Sequence, residues 1–406
     1  MLPNHVTRIP DSQIAGSISE SPTLWSTWKT LNEFDVYSGL RTRWKTGLVE
    51  VKSVTGSISP SDLGITLPHE HVLCDLTCLF KESLAKRGVP ASKVPLIEAP
   101  VRMNNLGELR RDLALAYLQK DNLRLCEIHD AIEEIMKFRM AGGRSIVDVT
   151  VRGLARDPAG LKAVSVATGV NIVCSTGWYR ELAHPSSLGR MSVNELADIM
   201  IRDLTEGIDG TETRAGVIGE LGTSLPLTEG ERRVLEAAGK AQSETGAALT
   251  IHVEDVDLKQ GLLKKAGEYI DLVLKGGANS SKIYLSHMDC CFLNIDYQRS
   301  IVDKYGVTID YDTFGQEAYI DSAISNVRQP SDGDRIAGLV ELLKSGYEKH
   351  LMISNDVCTK VQYKKYGGYG YAHIIEHIAP ALRLEGISNK QIDAMLIDNP
   401  KRILAW

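Results

Sequence analysis

From about residue 48 the chain alternates short β-branched runs with segments patterned as helices, and it does so eight times. The strand candidates are 65–73, 145–150, 170–176, 216–221, 248–253, 282–287, 307–312 and 351–355. Strands joined through helix-length segments pair in parallel, because each crossover returns the chain to the same edge of the sheet. Eight such units close a barrel. The expected fold is therefore α/β, a (β/α)8 TIM barrel over residues 48–406. An N-terminal extension precedes it at 1–47, and an inserted segment follows the first strand.

Local signals agree with this layout. Asp157-Pro158 offers an N-cap followed by a proline at the first helical position. Ser192-x-x-Glu195, Thr228-x-x-Glu231 and Ser388-x-x-Gln391 read as capping boxes. The segment 127–140 places apolar residues at 128, 132, 135 and 136, and Gly142 follows to end a helix. The stretch from about 77 to 126 is too long for a plain connection, so extra helices over one end of the barrel are expected there.

Residues 1–47 are polar and irregular, yet hold Trp25, Trp28 and Trp44, three of the five tryptophans. They are expected to pack on the barrel or on a second subunit, and a homodimer is expected. The formal charge of −6 gives no basic footprint for nucleic acid. No apolar run reaches the roughly 20 residues of a membrane helix. The opening Met1–Val6 lacks the basic and apolar regions of a signal peptide. Seven scattered cysteines, without a second pair to complete Cys74 and Cys78 as a zinc site, suit reduced thiols in the cytoplasm.

Chemistry concentrates at the ends of the strands, where barrels of this kind carry their active sites. His69 and His71, separated by one residue on an extended segment, project from the same face. Glu220 ends strand four, His252 strand five and His287 strand six, and Asp356 follows strand eight. A single strand-end histidine is usually a satisfied core or surface residue. Six such groups at one end of one barrel form a ligand set instead. They are too many for one tetrahedral zinc and suit two ions about 3.5–4 Å apart that share a carboxylate and a water. Glu220 is placed to bridge. The pKa of a water so held falls from about 15.7 towards about 7. Two divalent ions are expected, zinc first, with manganese or iron as alternatives.

Glu70, between the two histidines, should face outward and is not counted as a ligand. His373-Ile-Ile-Glu-His377 matches a zinc-peptidase pattern, but only 29 residues remain after it for a third ligand. The run Lys365-Tyr-Gly-Gly-Tyr-Gly-Tyr371 has no phosphate-loop spacing and is either a mobile substrate loop or an ordinary connection.

The runs Thr66-Leu-Pro-His-Glu-His71, Gly216-Val-Ile-Gly-Glu-Leu-Gly222, Ile251-His252, Leu285-Ser-His-Met-Asp289, Asn355-Asp356 and Lys365–His373 occur in this order. Together with Asp398-Asn-Pro-Lys-Arg402, they resemble the phosphotriesterase family of the amidohydrolase superfamily, most closely its phosphotriesterase-related branch. The resemblance implies a binuclear metal centre. His69, His71 and Asp356 would hold the buried ion, His252 and His287 the exposed one, and Glu220 would bridge in place of a carbamylated lysine. It also implies catalytic roles for Asp356, as proton acceptor, for Glu220 and for Tyr179. Trp178, Tyr179, Arg180, Asp289 and Tyr371 would contact substrate.

Three positions depart from the pattern. Thr313, not histidine, follows Asp312; Asn355 precedes Asp356; and Cys290 follows Asp289. The reaction implied is cleavage of a small amide, lactone or carboxylic ester by a metal-bridging hydroxide. Phosphotriester hydrolysis at the same site and an inert barrel used for binding are the alternatives.

Overall fold

In a computed structural model, the described residues are 6–7, 49–80, 89–257, 260–290, 294–318 and 329–406. The N-terminal extension thus lies outside them, apart from Val6–Thr7, which pairs with Val89–Pro90.

All eight expected strands are present. They are β1 Thr66–Glu70, β2 Ser145–Asp148, β3 Asn171–Thr176, β4 Val217–Leu221, β5 Ala248–His252, β6 Ile283–Ser286, β7 Thr308–Tyr311 and β8 Leu351–Ile353. Each pairs in parallel with the next in sequence, in one eight-stranded sheet. Between β8 and β1 the seam closes at the C-terminal ends, where His71 N–H donates to the Val357 carbonyl at 3.2 Å.

The alternation of strand side chains divides the core in two. Val147, Val173, Val217, Ala248, Tyr284 and Met352 fill the barrel interior, with Val51, Leu63, Ile403 and Leu404 joining them. Their neighbours Ile146, Ile172, Ile218, Leu249, Leu285 and Ile353 face the surrounding helices. Further up the barrel, inward positions turn polar: Thr250, Ser286, Asp310 and Asp312 are all fully buried. A polar layer of that depth in an apolar barrel needs partners, and the site above it supplies them to Ser286 and Asp312 through His69 and His287.

The capping signals form as expected. Ser192, Thr228 and Ser388 each make a reciprocal capping box, and Asp157 accepts the Gly160 N–H. The helix Ile128–Met140 ends before Gly142, whose φ is 109°. Its buried stripe is Ala131, Ile135 and Phe138, while Ile128 is 39% exposed. The inserted segment contains the helices Met103–Arg111 and Leu113–Ala116, and Leu109 and Leu115 pack with Val361 of the loop after β8. It therefore covers the C-terminal end of the barrel. Among the described residues, no helix is long and apolar enough to cross a membrane, and six cysteines are free thiols.

Candidate metal centre

The six strand-end residues converge. His69 and His71 lie 5.8 Å apart by ring centroid, nearly edge to face. His71 Nε2 is 3.3 Å from Glu220 Oε1. His69 Nε2 is 3.7 Å from Glu220 Oε2, and Asp356 Oδ1 is 3.6 Å from both imidazole Nε2 atoms. Bonds of about 2.0–2.1 Å to a tetrahedral ion put its ligand atoms roughly 3.3–3.4 Å apart, so these separations suit a cation between them. His69 Nε2 is buried and has no hydrogen-bond partner. An unmet buried nitrogen costs about 1–3 kcal/mol, and coordination would remove that cost. On the other side, Glu220 Oε2 is 3.0 Å from His252 Nδ1 and 3.6 Å from His287 Nε2. The Glu220 carboxylate thus faces both pairs of imidazoles.

Backbone irregularities aim these groups. The ladder between β1 and β2 slips between Leu67 and Glu70, and that between β4 and β5 slips between Ile218 and Leu221. His69 and Glu220 sit within those slips, where a bulge turns a side chain out of the regular pleat. His287 and Asp356 adopt left-handed φ values of 62° and 46°. Such a conformation costs a non-glycine residue on the order of 1–3 kcal/mol and persists where its surroundings fix it.

For Asp356 the fixing residue is Glu70. Its carboxylate accepts from Asn355 N–H at 2.8 Å, Asn355 Nδ2 at 2.9 Å and Val357 N–H at 2.7 Å. Glu70 is off the ligand face, yet it does not reach the outside. It is fully buried in the seam and grips both neighbours of Asp356. Burial pushes its pKa up to about 8 against those hydrogen bonds.

Three imidazoles are oriented from behind. His69 Nδ1 meets Ser286 Oγ at 2.8 Å, His71 Nδ1 meets Thr150 Oγ1 at 2.9 Å and His287 Nδ1 meets Asp312 Oδ1 at 2.9 Å. Each bond leaves Nε2 directed at the centre, the arrangement that fixes a ligating tautomer. Burial drives the His69 pKa well below its usual value. For His71 burial acts the same way, but Glu220 and Asp356 outweigh it and raise the pKa to about 9. Burial raises Asp356 to about 7, with His287 and His71 opposing. Glu220 is held well below the carboxylate range, because the surrounding imidazoles overcome its burial. The cluster attracts positive charge, which protons or divalent ions can supply.

Residues 49–404 match the phosphotriesterase family. The chain belongs to that family. It is 37% identical over 361 residues to the N-acetyltaurine hydrolase of Xenopus tropicalis, a match covering 88% of this chain and 98% of the relative. It is 36% identical over 361 residues to a phosphotriesterase-related protein of Nematostella vectensis, covering 87% and 98%. A resiniferatoxin-binding protein from Rhodobacter sphaeroides superposes with a TM-score of 0.81 at 32% identity, over 87% of this chain and 94% of that one. Like the phosphotriesterase family to which it belongs, the chain is a hydrolase with a TIM barrel.

The other expected site residues of this phosphotriesterase-family chain fall in different places. Tyr179 is buried with its ring 5.0 Å from that of His252, edge on. Trp178 turns to Arg152, whose guanidinium carbon is 6.0 Å from the ring. Arg180 directs Nε to Ser224 Oγ at 3.3 Å. Tyr371 is fully buried and donates to the His71 carbonyl at 2.7 Å. Asp289 is buried against Arg335, whose Nε is 2.7 Å from Oδ2, and Thr313 Oγ1 donates to the same oxygen at 2.5 Å.

Of the two histidines in His373-Ile-Ile-Glu-His377, His373 pairs with Asp332 at 2.6 Å and stacks on Tyr369. Much of the glycine-rich run is packed: a Cβ on Gly368 would lie 2.1 Å from the Gln362 carbonyl, and only Tyr369 of its later tyrosines is exposed.

Sequence reasoning did not identify Glu70, Ser286, Thr150, Arg335 or Gln316 as supporting residues. Gln316 donates Nε2–H to Asp356 Oδ2 at 3.1 Å and to the Asp356 carbonyl at 3.0 Å. The available signal was polarity at positions whose strand neighbours are apolar, which marks Ser286 and Thr150. Nothing local marks Gln316 or Arg335.

Proposed function

We propose that this chain is a binuclear metal-dependent amidase that cleaves small N-acyl amides, N-acetyltaurine being the first substrate to test. The observation that carries the reading is the end-to-end similarity to an N-acetyltaurine hydrolase, 98% of which is covered. The six-residue cluster gives that similarity its chemistry. His69, His71 and Asp356 would hold one ion, His252 and His287 the other, and Glu220 would bridge them. Two divalent ions, zinc in the first instance, would supply Lewis acidity and a water whose pKa lies near about 7.

The protein's own groups do the rest. Asp356 turns Oδ1 to the histidine pair and Oδ2 to Gln316. The Asp356 carboxylate, held between the histidine pair and Gln316, is the group that would take the proton of the attacking water and return it to the departing amine. General-base steps of this kind contribute about 10²–10⁴-fold. Tyr179 stays neutral, since burial and then Glu220 raise its pKa well above the ordinary phenol value. A neutral phenol beside His252 can donate to an oxygen that gains charge during the reaction. Glu220, with Oε1 toward His71 and Oε2 toward His69, His252 and His287, would keep the two halves in register.

Chelated protein should be reloaded with zinc, manganese or iron and offered N-acetyltaurine, N-acetyl amino acids, lactones, carboxylic esters and phosphotriesters. Metal-dependent release of acetate from the amides, with about two ions bound per chain, is the expected result. Activity confined to lactones or phosphotriesters would replace the amide reading. Folded protein that binds no metal and cleaves nothing would sink it.

A further inference from the structure

A cavity of about 340 Å³ lies between the inserted helix Met103–Arg111 and the loops after β7 and β8, with Asn355, Val357 and Cys358, the neighbours of Asp356, in its wall. Two side chains touch the Asp356 oxygen that faces away from the histidines. Gln316 Nε2 is 3.1 Å from Oδ2 and Cys358 Sγ is 3.9 Å from it. Both line this cavity. The amide orientation of Gln316 follows from its partners, since the Asp356 carbonyl can only accept and must face the NH2 group. The cavity thus adjoins the side of the Asp356 carboxylate that faces away from the histidines.

The walls carry a chemical bias. Phe314 and Val357 provide apolar surface, and at the rim Arg110 and Arg111 end the inserted helix. Glu317 is the carboxylate among the lining residues, and its Oε1 accepts the Asp332 N–H at 2.8 Å. Among the described residues, the Arg110 guanidinium has no carboxylate partner. It lies over Gly367, where a Cβ would come within 3.5 Å of Nη1. In a chain of net charge −6, the Arg110 guanidinium at the rim of a cavity next to the Asp356 loop favours an anion.

We propose that this cavity is the leaving-group subsite and that it takes a short amine bearing a distal anion, a sulfonate or carboxylate, paired with Arg110. The assignment rests on the amidase reading above. It implies that the acyl group lies on the other side of the centre, toward Tyr179 and His252.

Two measurements on the full-length, zinc-loaded protein test it. The first compares wild type, Arg110→Gln and Arg110→Lys on N-acetyltaurine, N-acetyl-β-alanine and the neutral N-acetylethanolamine. Charge-assisted hydrogen bonds of about 1.5–3 kcal/mol predict that Arg110→Gln raises KM for the anionic amides by about 10-fold or more. The turnover number and the neutral substrate should be unaffected, and Arg110→Lys should restore part of the loss. The second is calorimetric binding of taurine, β-alanine and ethanolamine to wild type and Arg110→Gln, with no reaction involved. Whichever of taurine and β-alanine binds more tightly names the anion.

Equal loss on charged and neutral substrates, or no loss on either, would overturn the subsite. So would taurine and β-alanine binding that is absent or indifferent to Arg110. Arg110-dependent taurine binding in a protein that cleaves no amide would leave the subsite standing and refute the amidase reading.

Discussion

At the scale of single residues, the centre depends on groups that never face it. Glu70 accepts three N–H donors from Asn355 and Val357, so Glu70→Ala leaves buried donors unmet and releases the strained backbone of Asp356. Stability should fall by roughly 2–4 kcal/mol, and metal affinity by about 10–100-fold, the loss typical of a residue that orients ligands. Chemical denaturation and metal titration measure the two effects separately. Asp356→Asn should lower the turnover number by at least about 10²–10⁴; an unchanged value would remove Asp356 from proton transfer. The converging residues were legible in the sequence because each is a histidine or carboxylate at the end of an apolar run, where such residues are rare. Glu70 was half legible: alternation took it off the ligand face, but only the closed seam shows what it binds. Gln316 was not legible, because its partner is a strand away and no periodicity links them.

At the scale of elements, all eight strands could be read from β-branched runs and the helix starts from capping boxes, since both signals are local. The loops could not be read, since their form is set by what they meet. The turn after β6 is the clearest case. Cys290 follows Asp289, and the cation that Asp289 meets comes from a distant element: Arg335, on the helix Asp332–Lys344, reaches back to it and to Thr313. Both ends of this ion pair are fully buried. Arg335→Met would strand the Asp289 charge and should cost about 3–5 kcal/mol. Equilibrium urea unfolding checks the cost, and Thr313→Val should lose less because the ion pair survives. His287 and Asp312 are held to each other just before these residues, so if the centre is binuclear as proposed, Arg335→Met should also weaken one of its two sites, read as a biphasic zinc titration.

At the scale of the whole molecule, the centre joins the first strand of the barrel to the last, so binding of ions should stabilise the entire fold. Zinc at a hundred times its dissociation constant adds about 2.7 kcal/mol per site, and a chelator should lower the melting temperature accordingly. The pH dependence has a definite sign. Without ions, His71 holds its proton up to about 9 and Asp356 up to about 7. Both must lose it to coordinate. Affinity should therefore weaken as pH falls from 9 through 7, and zinc binding near pH 7 should release protons, measured by calorimetry in buffers of different ionisation enthalpy. Affinity independent of pH across that window would contradict the ligand set. The seam also orders events in time. Glu70 and Asn355 are 285 positions apart, so on the ribosome the first histidine pair leaves the tunnel long before the segment that completes its ion. A nascent or truncated chain lacking β8 cannot hold that ion at full strength. If His69, His71 and Asp356 hold an ion as proposed, its loading follows synthesis of nearly the whole chain, and any barrel that has captured it has already closed.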